Sequence, residues 1–542
     1  METSVENMIK TIIGLLIIFF FINNYRKIEI DLVYVKHLKW VGLIVLTVIC
    51  VALLYSKKSS KSKEGKIIKY QDGSVFTGKD LKGRSIFVGT KQRSMHTQVI
   101  GTTNAGKTES VILPWAIQDM QQGRGLIIID GKSDHSLLQK LWSYSVLLKR
   151  ENDFKLFSLS NKDQSFAFNP LQGGTPEEVT ERVFNAFEFE NPHYRSLQYD
   201  VLGRIMQVLA SANITPTFQN LHAIISRPNL AIESVNPKGD PQLFYWFENF
   251  KKLPSSEREQ KTSGLLAALS HFSFGEASCL FNAKENLIDI GSAMKQNKIL
   301  YFQLPAMLSP FLGKATGKLV LQSLQAAIAQ RHKVMGEKKF FSVFLDDFSE
   351  YLYPGFVTLL NKSRSANVGI VFAHQALGDI EALGAPIANA ILTNSNVKIF
   401  MRGNDPNSAE YFSKVIGTIE SKKFTYREKS SVIGSQKTGD VSSREVDQFV
   451  VHPNRFKQHL GVGEGIMILP HDHGSIHLEM KFRMYNDLNV NRFPKIPLIS
   501  KKIDPIVFMK DPEITQSTNQ SNPATAGKFL EMQQQNQSKE NA

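Results

Sequence analysis

The stretch IGTTNAGKTESVILPWAIQD, Ile100 to Asp119, restricts the fold of this chain more than any other. It reads as a strand running into a glycine-bounded turn and then a helix. Gly101, Thr102, Thr103, Asn104, Ala105, Gly106, Lys107 and Thr108 satisfy G-x-x-x-x-G-K-[ST], and Glu109 enters the helix behind them. The two glycines let the backbone bend so that successive N–H groups converge on anionic oxygens, while the following helix adds the positive end of its dipole. Lys107 is then placed to neutralise the β- and γ-phosphates of a nucleotide. Thr108 offers its hydroxyl to Mg2+, which prefers oxygen ligands. A chance match in a glycine- and threonine-rich loop is the ordinary alternative, and the flanks argue against it. HTQVI, His96 to Ile100, is a compact strand signal, and VILPWAIQDM spaces its apolar residues with helical period.

Hydrolysis needs a second group of residues. FFSVFLDD, Phe340 to Asp347, is a hydrophobic strand ending in acid, so Asp346 is expected to hold the Mg2+ hydration shell opposite Thr108, with Asp347 orienting or deprotonating water. Phosphoryl transfer is mostly positioning plus charge neutralisation, so one metal-directed acid and one water-directed group suffice chemically. An ordinary strand ending in a solvated acidic turn is the competing reading. Gln375 closes the next strand signal, NVGIVFAHQ, where it can sense the γ-phosphate or its attacking water. Arg364 precedes that strand and is expected to act as an arginine finger on a neighbouring subunit, against the alternative of a plain surface arginine; Arg402 is the reserve.

The alternation of strand and helix signals defines an α/β fold with a parallel sheet. Strands are expected at Leu126 to Ile129, Lys155 to Ser160, Lys298 to Pro305, Phe340 to Asp347, Asn367 to Gln375 and Asn396 to Gly403. From about Thr175 to Gly291 the rhythm stops, and TPEEVTERVFNAFEF, YDVLGRIMQVLASA, TFQNLHAIISR and TSGLLAALSHF read as successive amphipathic helices. The expected organisation is a nucleotide-binding domain in two parts, 71–174 and 292–505, interrupted by an all-helical insertion over 175–291.

Two apolar runs, Thr11 to Ile22 and Trp40 to Tyr55, precede all of this and read as a transmembrane hairpin within 1–70, each run lengthened by flanking residues toward the ~20 needed to span. The first lacks a convincing signal-peptidase site, and a second span follows it, against a cleaved leader. Lys57, Lys58, Lys61, Lys63, Lys66 and Lys69 cluster just after the second run, which places the large C-terminal part in the cytoplasm. At the other end, 506–542 is Gln/Asn-rich with few large apolar residues and is expected to be disordered. The 542 residues carry a net charge of +14, consistent with a polyanionic partner or an anionic membrane surface. Cys50 and Cys279, the two cysteines, argue against a disulfide scaffold or a cysteine-rich metal site. His471 and His473 in PHDHG read as hairpin residues rather than metal ligands.

GTTNAGKTESVILPW, VFLDD, SRSANVGIVFAHQ, NVKIFMRGNDPNSAEYFSKVIG and REVDQFVVHPNRFKQHLGVGEGIMIL, in that order, resemble the type IV coupling proteins of conjugation and type IV secretion, the TraD/TraG kind. The likeness implies a RecA-like P-loop ATPase, using ATP and Mg2+, that assembles as a homo-hexamer on the bacterial inner membrane and passes relaxase-bound DNA to the secretion channel. It also implies that Lys107 and Thr108 bind phosphate and magnesium, that Asp346 is the second magnesium carboxylate, that Gln375 is the sensor and that Arg364 acts in trans. Many members carry Glu where this chain has Asp347, whose side chain is one methylene shorter; Glu350, a helical turn onward, could substitute. That departure keeps open a second reading, a nucleotide-binding platform that docks protein substrates without sustained pumping. A chromosome-partition or packaging pump of the same superfamily is a third.

Overall fold

The computed structural model describes residues 73–488 and 493–494, apart from 190–191, 231–234, 236, 238, 284–286, 335, 337 and 432–433. The two expected membrane spans and the polar tail lie outside the described residues, among which no helix is long and apolar enough to cross a membrane.

An 11-stranded sheet organises the molecule in the order β2-β1-β13-β12-β9-β3-β8-β7-β4-β6-β5. Seven strands, running to one edge of the sheet, are parallel: β9 (Val397–Met401), β3 (Thr97–Ile100), β8 (Val368–His374), β7 (Phe341–Asp346), β4 (Leu126–Asp130), β6 (Ile299–Gln303) and β5 (Phe154–Ser158). Beyond β9 the sheet turns antiparallel through β12 (Glu464–His471), β13 (Gly474–Phe482), β1 (Val75–Asp80) and β2 (Ser85–Val88). Parallel strands are covered on both faces and so read as unbroken apolar runs. LIIID shows why. Ile127 and Ile129 point into one core and Leu126 and Ile128 into the other, so no position along the strand faces water.

The two faces carry different helices. Leu113–Gln121, the helix behind the glycine loop, and His135–Leu147 fill one core with Trp115, Ile117, Leu137 and Leu141. The long helix Pro310–Lys333 covers the other, where it meets the helices that follow β5. No strand is found among the described residues from Pro176 to Asn282, which form the helices Pro176–Ala186, Pro192–Ser211, Phe218–Ser226, Pro241–Lys252, Ser255–Ser273 and Ser278–Asn282. Their starts are chemically marked: Thr175 and Glu178 make a reciprocal capping box, and Thr217 and Asp240 accept from backbone N–H groups of their first turns. The helix Pro241–Lys252 is one that the sequence periodicity did not separate. A two-stranded ribbon, β10 (Thr418–Ser431) with β11 (Gly434–Phe449), stands apart from the main sheet and was also not anticipated. His471 and His473 fall at the β12–β13 turn, and no cluster of three or more His, Cys, Asp or Glu side chains placed to hold a metal ion occurs among the described residues.

Candidate nucleotide-binding site

The site lies at the carboxyl ends of β3, β8, β7 and β4, where ligands bind open α/β sheets. β3 ends in the glycine loop. Gly106 takes φ +99°, a left-handed conformation in which a side chain would be strained, and a Cβ there would also press on the backbone of Gly463 at 3.1 Å. Gly101 is similarly confined, with Met401 and Ala105 within 3.2 Å of a notional Cβ. The loop is pinned from its neighbours: Gly101 N donates to His374 O at 3.3 Å, Thr102 N to Arg402 O at 2.9 Å, and Gly463 N to Ala105 O at 3.0 Å. Arg402 thus stands beside the loop of its own chain. Thr103 and Asn104 form the exposed crest.

Lys107 curls over the loop, with Nζ donating to Gly101 O at 2.7 Å and Thr102 O at 3.2 Å. It is only 5% exposed, and burial together with the nearby Lys132 ammonium lowers its proton affinity in spite of Asp346 and Asp347. A buried ammonium resting on carbonyl oxygens is a cation short of a matched anion. Thr108 opens one turn of π-helix, Thr108–Ile112, a local widening often found at functional sites. Its hydroxyl donates to Asp346 Oδ2 at 2.7 Å, so the loop and the end of β7 meet as expected. The Glu109 side chain turns outward to Lys140 at 2.8 Å, leaving only its backbone amide at the helix mouth.

Asp346 and Asp347 part company at the end of β7. Asp346 is buried, and burial, then the neighbouring Asp347 charge, raise its carboxyl above the ordinary range. Asp347 adopts φ 46°, ψ 51°, an uncommon conformation for a residue with a side chain and one that accumulates at functional sites. It projects the carboxylate onto Lys132 Nζ, 2.7 Å away. Glu350 instead pairs with Lys314 at 3.4 Å. Thr108 and Asp346 supply hard oxygen donors, and burial beside Asp347 leaves the Asp346 carboxylate short of positive charge, a set that suits Mg2+.

Two site residues escaped the sequence reading. β4 lies beside β7 and places Asp130 level with Asp346. Burial and Asp346 push the Asp130 carboxyl up to about 6 even though Lys132 N, Ser133 N, Asp134 N and the Tyr301 hydroxyl all donate to it. Those bonds shape the loop that carries Lys132. The only signal in the sequence was DGKSD after a buried-strand run.

β8 delivers Gln375, whose side chain is exposed and whose backbone N donates to Asp379 Oδ2 at 2.7 Å. The preceding His374 is buried. Its Nδ1 meets Ala376 O at 2.7 Å, and since a carbonyl only accepts, Nδ1 carries the hydrogen; Nε2 then accepts from Gln98 Nε2 at 3.0 Å. Gln98 Oε1 in turn faces Lys398 Nζ at 3.4 Å. Burial holds His374 at a pKa of about 4, as the neutral imidazole this chain of donors requires. Arg364 is exposed and lies before the first residue of β8, at the sheet end opposite the glycine loop. Seven residues of β8 at about 3.3 Å each separate the two ends by roughly 23 Å.

A glycine loop pinned to its neighbouring strands, a lysine over it and a Thr–Asp pair at its exit define the class: this is a P-loop NTPase fold. The family described as "TraM recognition site of TraD and TraG" matches residues 341–458. The type 4 coupling protein DotL of Legionella pneumophila subsp. pneumophila strain Philadelphia 1 is 24% identical over 412 residues, covering 64% of this chain and 52% of that protein. The chain therefore spans about half the length of the curated relative it matches. Among solved structures, the conjugative coupling protein TrwB lacking its first 70 residues aligns with a TM-score of 0.56 at 13% identity, covering 78% of this chain and 91% of that one. TrwB in complex with the ATP analogue ADPNP aligns with a TM-score of 0.56 at 14% identity, covering 78% and 92%. These matches make the chain similar to type IV coupling proteins in sequence over part of its length and in fold over most of its described residues.

Proposed function

We propose that this chain is an ATP-hydrolysing coupling protein, anchored in the bacterial inner membrane by 1–70, that works as a homo-hexamer and hands relaxase-bound DNA to a type IV secretion channel. The observation that carries the reading is the meeting of Thr108 with Asp346 beneath a lysine-capped glycine loop. ATP is the expected nucleotide, because relatives of this fold include TrwB in complex with ADP and Mg2+ and with ADPNP.

The chain's own groups divide the work. The amides of Gly101 to Thr108 cradle the phosphates, and Lys107 exchanges the loop carbonyls for phosphate oxygens. Thr108 and Asp346 would hold Mg2+, which when bound supplies neutralisation of phosphate charge. Asp347 orients the attacking water, and Gln375 reads the terminal phosphate from the end of β8. Arg364, about 23 Å of strand away from its own loop, acts on an adjacent subunit. Domain limits follow the sequence reading, with 175–291 as the helical insertion that engages cargo.

A second reading, a nucleotide-binding docking platform for protein substrates, is favoured by one feature: the water-directed acid is a short aspartate already held by Lys132. Steady-state ATPase assays on the full-length protein in nanodiscs, with and without single-stranded DNA, separate the two. The motor predicts DNA-stimulated turnover that Lys107→Ala abolishes. Turnover by Lys107→Ala at the wild-type rate sinks both readings, and nucleotide binding without DNA-stimulated turnover selects the platform.

A further inference from the structure

Lys132 sits on a loop whose construction exceeds what a surface lysine requires. Asp130, fully buried, accepts from the backbone N of Lys132 at 2.9 Å, of Ser133 at 3.1 Å and of Asp134 at 2.6 Å, so three consecutive peptide groups are wound about one carboxylate. Ser133 is left-handed at φ 63°. Asp134 then caps the helix His135–Leu147, fixing the loop's far end. Gly131 lets the loop lie against the end of β7: a Cβ there would meet Asp347 O and the Tyr351 ring at 3.3 Å. The product of this geometry is a second ammonium group at the phosphate site. Lys132 reaches Asp347 Oδ2 at 2.7 Å and is close enough to Lys107 to disfavour its charge.

The neighbouring carboxylates hold Lys132 charged, and that charge in turn disfavours the Lys107 ammonium, so a polyphosphate anion is the group that would satisfy both cations at once. The direct ion pair of Lys132 is with Asp347, the residue expected to orient water, while Asp346 and Asp130 act on it from farther off. We propose that Lys132 is a γ-phosphate-responsive lysine, which exchanges the Asp347 carboxylate for the terminal phosphate of a nucleoside triphosphate and so frees Asp347 for water only when that phosphate is present. The inference rests on the ATPase reading above. The exchange forms and breaks ion pairs alone. It gives the site a way to distinguish triphosphate from diphosphate before chemistry occurs, and it gives the shorter acid a defined resting partner.

The test is equilibrium binding of fluorescent ADPNP and fluorescent ADP to the full-length protein in nanodiscs. A charge-assisted contact to phosphate is worth on the order of tenfold or more in affinity. Lys132→Met should therefore weaken ADPNP about tenfold, leave ADP within about twofold and erase the preference, while Lys132→Arg restores part of it. Asp347→Asn should act in the opposite direction, tightening ADPNP by releasing the lysine; asparagine tolerates the left-handed conformation, so the fold is not taxed. An unchanged ADPNP preference in Lys132→Met, or weaker ADPNP binding in Asp347→Asn, overturns the proposal. Lys107→Ala separates the levels: if it leaves binding of both nucleotides intact, the ATPase reading itself fails.

Discussion

Replacing Arg93 by methionine tests what holds the parts of the site in register. Arg93 is 1% exposed and precedes β3; its guanidinium grips Asp119 on the helix Leu113–Gln121 with bonds of 2.7 and 2.6 Å and donates to Ser342 of β7 at 3.0 Å. Trp115 and Phe340 lie at 5.1 and 4.9 Å from it, so the cation is sandwiched between rings. One side chain therefore joins the strand that ends in the glycine loop, the helix that follows the loop and the strand that ends in Asp346. Losing it leaves Asp119 charged, fully buried and supported only by Arg124 at 3.2 Å and Ser342 at 2.6 Å. Breaking a buried pair from one side typically costs about 3–5 kcal/mol.

With a urea slope of about 3 kcal/mol per M or more, as a chain of this size implies, the unfolding midpoint should fall by roughly 1 M. The assay is urea unfolding followed by tryptophan fluorescence, in which Trp115 reports from beside the mutation. Arg93→Met with Asp119→Leu should recover most of the loss, because two apolar groups replace the pair and no charge is stranded. The pH dependence has a definite sign. Burial raises the Asp119 carboxyl, but Arg93, Arg124 and the Ser342 hydrogen bond outweigh it and leave it below its ordinary value. A depressed acid contributes stability above its unfolded pKa of about 4 and loses it as pH falls through the folded value, so the single variant should differ most from wild type at neutral pH. A midpoint unchanged in Arg93→Met, or a double variant no better than the single, would refute the reasoning.

The buried histidines set a second pH window. His96 and His374 are both held at a pKa of about 4 by burial, so the unfolded chain binds more protons between about 6.5 and 4 and stability falls as pH falls through that range; each should remove about 2 kcal/mol between pH 7 and pH 5. The double variant His96→Gln/His374→Gln should flatten that slope in urea titrations, and an unaltered slope would remove both groups from the account. For Arg364, mixing Arg364→Ala with Lys107→Ala subunits should restore ATPase activity above either parent, because some interfaces then join an intact loop to an intact arginine. Wild-type turnover by Arg364→Ala alone, with DNA present, would end that assignment and shift the test to Arg402.

The fold and the site were legible to different depths. Strands β4, β6, β7, β8 and β9 each fell within a residue or two of the sequence expectation, because double-sided burial leaves an uninterrupted apolar run that few other structures produce. The antiparallel flank was half visible: β12 and β13 flank the hairpin turn read at His471 and His473, whereas β1, almost 400 residues away in sequence, pairs with β13 and carries β2 at the edge through contacts that no local pattern encodes. The ribbon β10–β11 is polar along much of its length and carries no single-face apolar alternation, so it read as connection. The same division runs through the site. Gly101 to Thr108 are contiguous and announce themselves, and Asp346 follows an apolar strand. Asp130 and Lys132 do not, since their meaning comes from β4 lying next to β7, a neighbour relation fixed by sheet order. Sheet order also decides Arg364. Position in the sequence sets it eleven residues before Gln375, suggesting nearness, but parallel strands send the residue before β8 and the residue after it to opposite edges. An arginine on the far edge is of no use to its own glycine loop, so a catalytic role for Arg364 would demand a second subunit, which is what the mixing experiment tests.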